Sequence, residues 1–252
     1  MTKSQAKRVV ILGALSAIAI ATARLYAREG ARLCIAGRNR ERLENLGQDL
    51  IARGAAQVVL ADLDLEKGAA EAARHLTAWR DELGGLDHIL LAYGTLGAEE
   101  DARRDTSALL HILSINFTSA ACWCSAGAAL LGEQGHGTLI ALSSVAGDRG
   151  RQSNYAYGAA KGGLALFVQG LAHVLVGTGA RAVVVKPGFV DTPMTAALPK
   201  SGPLWASPDT IAKVIRRAAD RGGPIQYAPS FWRLIMLIIR LIPAGVFHRT
   251  RL

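Results

Sequence analysis

Arg8-Val-Val-Ile-Leu12, Gly13-Ala-Leu-Ser16-Ala17 and Ile18-Ala-Ile-Ala-Thr-Ala-Arg-Leu-Tyr-Ala-Arg28 form the stretch whose reading decides the fold. The first piece is a short apolar run rich in β-branched residues, a buried strand. The second holds a glycine and a serine, a turn. The third is long, apolar and carries no breaker, a helix. The same strand–turn–helix unit recurs along the chain. Ala31–Ala36, Gln57–Ala61, Asp87–Ala92, Thr138–Leu142 and Arg181–Val185 read as five more strands. Arg40–Arg53, Glu66–Leu83, Ala102–Ile112, Asn116–Leu131 and Tyr157–Val176 read as helices between them. Strands alternating with helices imply right-handed crossovers. The expected architecture is therefore a single-domain α/β fold, a doubly wound parallel sheet with helices on both faces. In such a sheet ligands bind beyond the carboxyl ends of the strands.

Composition agrees with one such domain. The chain has 252 residues, half of them apolar, with 27 glycines. No repeat or linker divides it, so residues 1–228 read as the catalytic domain and 229–252 as an apolar tail. The net charge of +9 is uneven: residues 221–252 hold five arginines and no acid, leaving +4 on the rest. A global nucleic-acid face is not expected. Cys34, Cys122 and Cys124 have no disulfide or metal-ligand spacing and read as buried thiols in a reducing, cytoplasmic setting; no metal is expected. The basic start, Met1–Arg8, leads into a strand and not into a signal peptide, and no run of 18 apolar residues predicts an ordinary membrane-spanning helix.

The chemistry-bearing residues fall at strand ends. Tyr157 and Lys161 are four apart in one helix and share a face. A phenol is a poor acid at neutral pH, and a nearby ammonium is expected to lower its pKa. The pair is a candidate proton donor to a carbonyl. Ser144, thirteen residues before Tyr157, closes the fifth strand and offers a hydroxyl to the same carbonyl. The first turn, Gly13 with Ser16, Ala17 and Ile18, leads to a helix N-terminus suited to a pyrophosphate, although Ala17 and Ala19 stand where a dinucleotide fingerprint has glycines. Arg38, with Asn39 after the second strand, offers a guanidinium to a 2′-phosphate where an acid would favour NAD, so NADP(H) is preferred over NAD(H). Asp62-Leu63 ends the third strand near the expected adenine position. Pro187-Gly188-Phe189-Val190-Asp191-Thr192 follows the sixth, a candidate holder of the nicotinamide carboxamide.

Gly13, Asp62, Asn116, Ser144, Tyr157/Lys161 and Pro187-Gly188…Thr192 resemble, in order and over nearly the whole chain, the short-chain dehydrogenase/reductase family. The resemblance implies a Rossmann fold and hydride transfer between NAD(P)H and a ketone or secondary alcohol. It also implies that Tyr157 is the acid/base, that Lys161 lowers its pKa and binds the nicotinamide ribose, that Ser144 polarises the carbonyl, and that Asn116 holds a relay water. Tyr155 has no lysine four residues on. The family's Asn-Asn-Ala-Gly is here Leu91-Ala92-Tyr93-Gly94, so only Gly94 remains for that role.

Ala92-Tyr93-Gly94-Thr95-Leu96-Gly97 and Tyr227–Arg233 resemble a narrower subgroup of reductases, which act on a 2-keto pentose carried by decaprenyl phosphate. The competing expectations are a 3-oxoacyl thioester or other small ketone as substrate, and a catalytically silent nucleotide-binding protein. Phe231–Ile242 is nearly all apolar, with Arg233 and Arg240 seven apart, Pro243 ending the run and His248, Arg249 and Arg251 beyond. It is too short to span a bilayer. It suits an interfacial helix at a membrane surface, a subunit contact in a homo-oligomer, or a lid over the site.

Overall fold

The computed structural model describes residues 6–97, 99–200 and 202–250; Met1–Gln5 and Arg251 of the basic ends lie outside them. Strands β1 (Arg8–Leu12), β2 (Arg32–Gly37), β3 (Gln57–Asp62), β4 (His88–Leu91), β5 (Gly137–Leu142) and β6 (Ala180–Pro187) pair in the order β3-β2-β1-β4-β5-β6, all parallel. The order reverses between β1 and β4, which places a crevice at their carboxyl ends. Val9 to Leu12 are fully buried, as expected of a strand covered on both faces.

Helices α1 (Ala17–Arg28) and α2 (Arg40–Ala52) cover one face; α3 (Ala72–Leu83), α6 (Ser119–Gln134) and α7 (Tyr155–Val174) cover the other. Local chemistry sets their starts. The Ser16 hydroxyl accepts from the Ala19 N–H at 3.2 Å and caps α1; the Asn39 side-chain Oδ1 caps α2, accepting from the Arg42 N–H at 2.9 Å. Trp79 of α3 and Trp123 of α6 stack at 5.8 Å between centroids, and Trp123 donates to the Leu65 carbonyl at 2.7 Å.

Several elements differ from the sequence reading. The helix expected over 66–83 is a 3₁₀ turn, Lys67–Glu71, followed by α3. The one expected over 102–112 is two, α4 (Glu99–Arg104) and α5 (Thr106–Leu113), because Asp105 accepts from the Ser107 N–H and starts a new helix. Between α5 and α6 lies a π turn, Ser114–Thr118. The whole stretch 106–134 is long and apolar enough to cross a membrane by composition; here it packs in the core through Trp123, Cys124 and Leu131. Cys122 is exposed, so of the three expected buried thiols only Cys34 and Cys124 are buried.

The larger difference lies after residue 188. Short strands β7 (Phe189–Val190) and β8 (Trp205–Ala206) pair with each other. Helix α8 (Pro208–Arg221) starts at the Ser207 cap, and β9 (Ile225–Ala228) adds a seventh parallel strand beside β6. The tail then forms α9 (Trp232–Leu241) and α10 (Ala244–Phe247). Trp232 and Met236, one turn apart, pack with Val145, Phe189 and Tyr227. The opposite stripe, Leu234, Leu237, Ile238 and Leu241, is between 51 and 73 % exposed. The Arg149 guanidinium donates to the Ile239, Arg240 and Ile242 carbonyls at the end of α9 and lies 4.0 Å over the Phe247 ring. One face of the tail is thus docked on its own domain.

Candidate active site

Tyr157 sits in the first turn of α7, 9 % exposed, with its hydroxyl hydrogen-bonded to Ser144. Lys161 lies one turn on, buried, with its Nζ 6.0 Å from the centre of the tyrosine ring. That ammonium donates to the Leu142 carbonyl at 3.2 Å and the Tyr93 carbonyl at 3.4 Å, the ends of β5 and of the β4 loop. The Ser143 hydroxyl donates to the Lys161 carbonyl at 2.8 Å and pins α7 to the end of β5. Ser144 caps the 3₁₀ turn Val145–Asp148, accepting from the Ala146 N–H at 3.1 Å.

Burial pushes the Tyr157 phenol up to about 12, with the Ser144 hydrogen bond pulling the other way. The expected lowering by Lys161 is not what this geometry gives. The ammonium faces two carbonyls, and removal from water dominates both groups, pushing Lys161 down to about 8. Tyr157 is therefore a protonated donor at neutral pH.

Asn116 is fully buried in the π turn. Its Oδ1 accepts from the Thr95 N–H at 3.1 Å, and its Nδ2 donates to the Thr95 and Ile112 carbonyls at 2.8 and 2.9 Å. Both side-chain donor hydrogens are spent on the protein. A Cβ on Gly94 would lie 2.6 Å from the Asn116 Oδ1 and 3.1 Å from the Lys161 Nζ, so glycine there is a packing requirement of the cluster. A further feature escaped the sequence reading. Gly158 and Gly162, four apart, let α7 lie directly on the Ala146 and Gly147 backbone, which sets Ser144 against Tyr157. The spacing beside Tyr157 and Lys161 was the available signal.

At the other end of the crevice, the α1 N-terminus fits a dinucleotide phosphate. Among the described residues no acceptor is seen for the Ala17 and Ile18 N–H groups, and the Ser16 hydroxyl, which caps α1 through its oxygen, keeps its hydrogen to donate. Arg38 is exposed after β2, 3.8 Å from the Asp64 carboxylate. Asn39 caps α2 through its Oδ1 and keeps its Nδ2 as a donor, Asp62 is exposed at the end of β3, and Leu63 lies against Gly68. Pro187 ends β6, the Gly188 N–H donates to the Ala228 carbonyl at 3.0 Å, and Val190 is buried in β7. The Thr192 N–H donates to the Thr195 hydroxyl at 3.2 Å. A hollow of about 460 Å³ between α2 and β3 contains none of these residues.

Residues 7–202 match the short chain dehydrogenase family. The chain belongs to the short-chain dehydrogenases. It is 37 % identical over 249 residues to an uncharacterised oxidoreductase of Streptomyces coelicolor, covering 96 % of this chain and 95 % of that one. It is 34 % identical to an uncharacterised oxidoreductase of Mycobacterium tuberculosis, covering 99 % of each. Among solved structures, levodione reductase superposes with a TM-score of 0.78 at 22 % identity, over 90 % of this chain and 98 % of that one. NAD⁺-bound xylitol dehydrogenase gives 0.77 at 19 %, over 88 % and 97 %. The fold is thus that of the family, and the chain is an oxidoreductase of a family that binds NAD(P).

In this short-chain dehydrogenase two glycines of the ordered set serve neighbours that the sequence reading did not connect to them. Gly13 has φ of 83°, and a Cβ there would lie 2.6 Å from the Tyr93 Cβ. The Tyr93 hydroxyl is 3.0 Å from the Ser119 hydroxyl, joining the β4 loop to α6. A Cβ on Gly188 would lie 1.8 Å from the Trp232 Nε1. Trp232, 3 % exposed, meets Phe189 edge-on at 5.4 Å, and Phe189 stacks on Trp205 at 5.3 Å. The tail helix therefore rests directly on the loop that follows β6.

Proposed function

We propose that the chain transfers a hydride between NADP(H), preferred over NAD(H), and a ketone or secondary alcohol, with Tyr157 as general acid and base. The observation that carries the reading is the Tyr157–Ser144 hydrogen bond, with the Lys161 ammonium buried beside it. The nicotinamide, when bound, supplies the hydride for the carbonyl carbon. The Tyr157 hydroxyl donates its proton to the carbonyl oxygen, and the Ser144 hydroxyl orients that oxygen. The Lys161 charge stabilises the phenolate as it forms, an interaction strengthened by exclusion of water. Asn116 holds the Thr95 loop, and with it the floor under Lys161. Gly13, Ser16, Ala17 and Ile18 would receive the pyrophosphate. Arg38 and Asn39 would face a 2′-phosphate, Asp62 and Leu63 the adenine, and Gly94, Pro187, Gly188, Val190 and Thr192 the nicotinamide end. Calorimetric titration with NADPH and NADH, followed by NADPH consumption against a panel of ketones, tests the reading. Equal binding of the two nucleotides removes the Arg38 assignment, and no ketone-dependent consumption removes the reaction.

A narrower reading places the substrate on a lipid, as a 2-keto sugar on a polyprenyl phosphate at the inner face of a membrane. The exposed stripe Leu234, Leu237, Ile238 and Leu241 favours it, since four large apolar side chains facing outward on a short helix suit an interface. A 3-oxoacyl thioester or small soluble ketone gives that stripe no task. The competing cover is a second copy in a homo-oligomer, which would bind no vesicles.

A further inference from the structure

Three active-site segments converge on one buried carboxylate. Asp148 ends the 3₁₀ turn that Ser144 begins, and its side chain is 2 % exposed. One of its oxygens is ion-paired with the Lys186 ammonium, itself 9 % exposed. The other accepts from the Tyr227 hydroxyl at 2.7 Å. Lys186 and Tyr227 face each other across the β6–β9 pairing, and the ammonium is 5.6 Å from the Tyr227 ring centre. The next residues along the two strands are Pro187-Gly188 and Ala228, joined by the Gly188 N–H to Ala228 carbonyl bond. Beyond Ala228 the chain enters α9, whose Trp232 lies on Gly188.

We propose that Asp148 is a positioning residue for hydride transfer: through Lys186 and Tyr227 it holds the Pro187–Gly188 loop and the root of the tail helix in register with the Ser144 turn. The inference rests on the reading of Ser144 and Tyr157 as the carbonyl site. The physical argument is that of a buried ion pair. Such a pair is seldom the most stabilising filling for its space, since similar apolar side chains often serve as well or better. What it supplies is geometry: a carboxylate with both oxygens engaged fixes two partners at defined distances and directions. Those partners here are the residues just before the loop at the nicotinamide end and just before the tail. A displacement of about 1 Å between such groups costs on the order of 10²-fold in rate.

The test compares full-length Asp148→Asn, Tyr227→Phe and the double variant Asp148→Leu/Lys186→Met with the wild type. Asp148→Asn leaves an unpaired buried ammonium and is expected to lose stability together with rate. The double variant removes both charges and is expected to recover the unfolding midpoint while kcat stays about 10–100-fold down, with KM for NADPH nearly unchanged. A role confined to stability predicts that kcat recovers with the midpoint, and that result overturns the proposal. The fluorescence of bound NADPH reads the nicotinamide's surroundings without turnover. It is expected to move towards that of the free nucleotide in Asp148→Asn and in the double variant. Unchanged emission in both overturns the proposal whatever the activity. Loss of the carbonyl-site reading shows separately, as full turnover by Tyr157→Phe.

Discussion

The contact between Gly188 and Trp232 makes a double-mutant cycle decisive. In Gly188→Ala the new methyl would stand 1.8 Å from the indole nitrogen, so the tryptophan must move. Overpacking of this kind costs about 1–3 kcal/mol. In Trp232→Ala a side chain that is 3 % exposed disappears from a cluster with Val145, Met236 and Phe189. A buried tryptophan cut to alanine costs about 3–5 kcal/mol. At about 2–4 °C per kcal/mol for a chain of this length, the single variants should melt roughly 2–12 °C and 6–20 °C lower. The two effects should not add. With the indole gone, the alanine methyl enters the space it left, and Gly188 is not in the left-handed region, so the backbone tolerates a side chain. Gly188→Ala is therefore expected to be nearly neutral, or slightly stabilising, in the Trp232→Ala background. Thermal and urea unfolding of the four proteins measure this. A Gly188→Ala penalty of the same size in both backgrounds would refute the docking of α9 on the loop.

Other outcomes follow from the same geometry. A chain ending at Ala228 loses Trp232 as well as the apolar stripe, so its turnover should fall even with a small soluble ketone; full activity would show the tail is no part of the site. Leu237→Gln/Leu241→Gln alters only the exposed stripe and should keep that turnover while losing co-sedimentation with anionic vesicles, a binding that salt weakens in the wild type; equal sedimentation of both proteins rules out the membrane contact. Lys161 has a folded value of about 8 against an ordinary value of 10.5, so between those pH values the unfolded chain binds more protons and wild-type stability gains with rising pH. Lys161→Met lacks this gain, and parallel urea titrations at pH 7 and pH 10 should show the difference; identical pH dependence would mean the lysine is not buried as a cation. Arg38→Asp should reverse the nucleotide order, read by calorimetry, and an unchanged order would leave Arg38 a surface charge paired with Asp64.

Much of the architecture was legible because it repeats. Six β-branched, apolar runs separated by helical periodicity specify a parallel sheet, and each expected strand lies within a residue or two of its place. Ser144, Tyr157, Lys161 and Asn116 were legible as an ordered set, and the structure brings them together at the ends of β4 and β5. What escaped depends on contacts between distant segments. Helix α8, outside the strand–helix alternation, has its own signal in the Ser207 cap with Ile211, Ala212, Ile215, Ala218 and Ala219 on one face. Strand β9 is four residues long behind Gly222-Gly223-Pro224, and its pairing with β6 cannot be read from periodicity. The tail's division into a docked stripe at Trp232 and Met236 and an outer stripe at Leu234, Leu237, Ile238 and Leu241 is invisible when every residue of the run is apolar. The direction of the Tyr157 shift is not legible in the sequence, because spacing reports proximity, whereas burial decides the sign here.

Tyr157→Phe is the most direct test of the reaction assigned to this chain. NADPH affinity is measured by calorimetry, and deuteride transfer from labelled NADPH to a ketone is followed by mass spectrometry, for wild type and variant alike. The account predicts affinity within about twofold of wild type and transfer slowed at least 10²–10⁴-fold, because the proton donor alone has been removed. Transfer by Tyr157→Phe at the wild-type rate would contradict it.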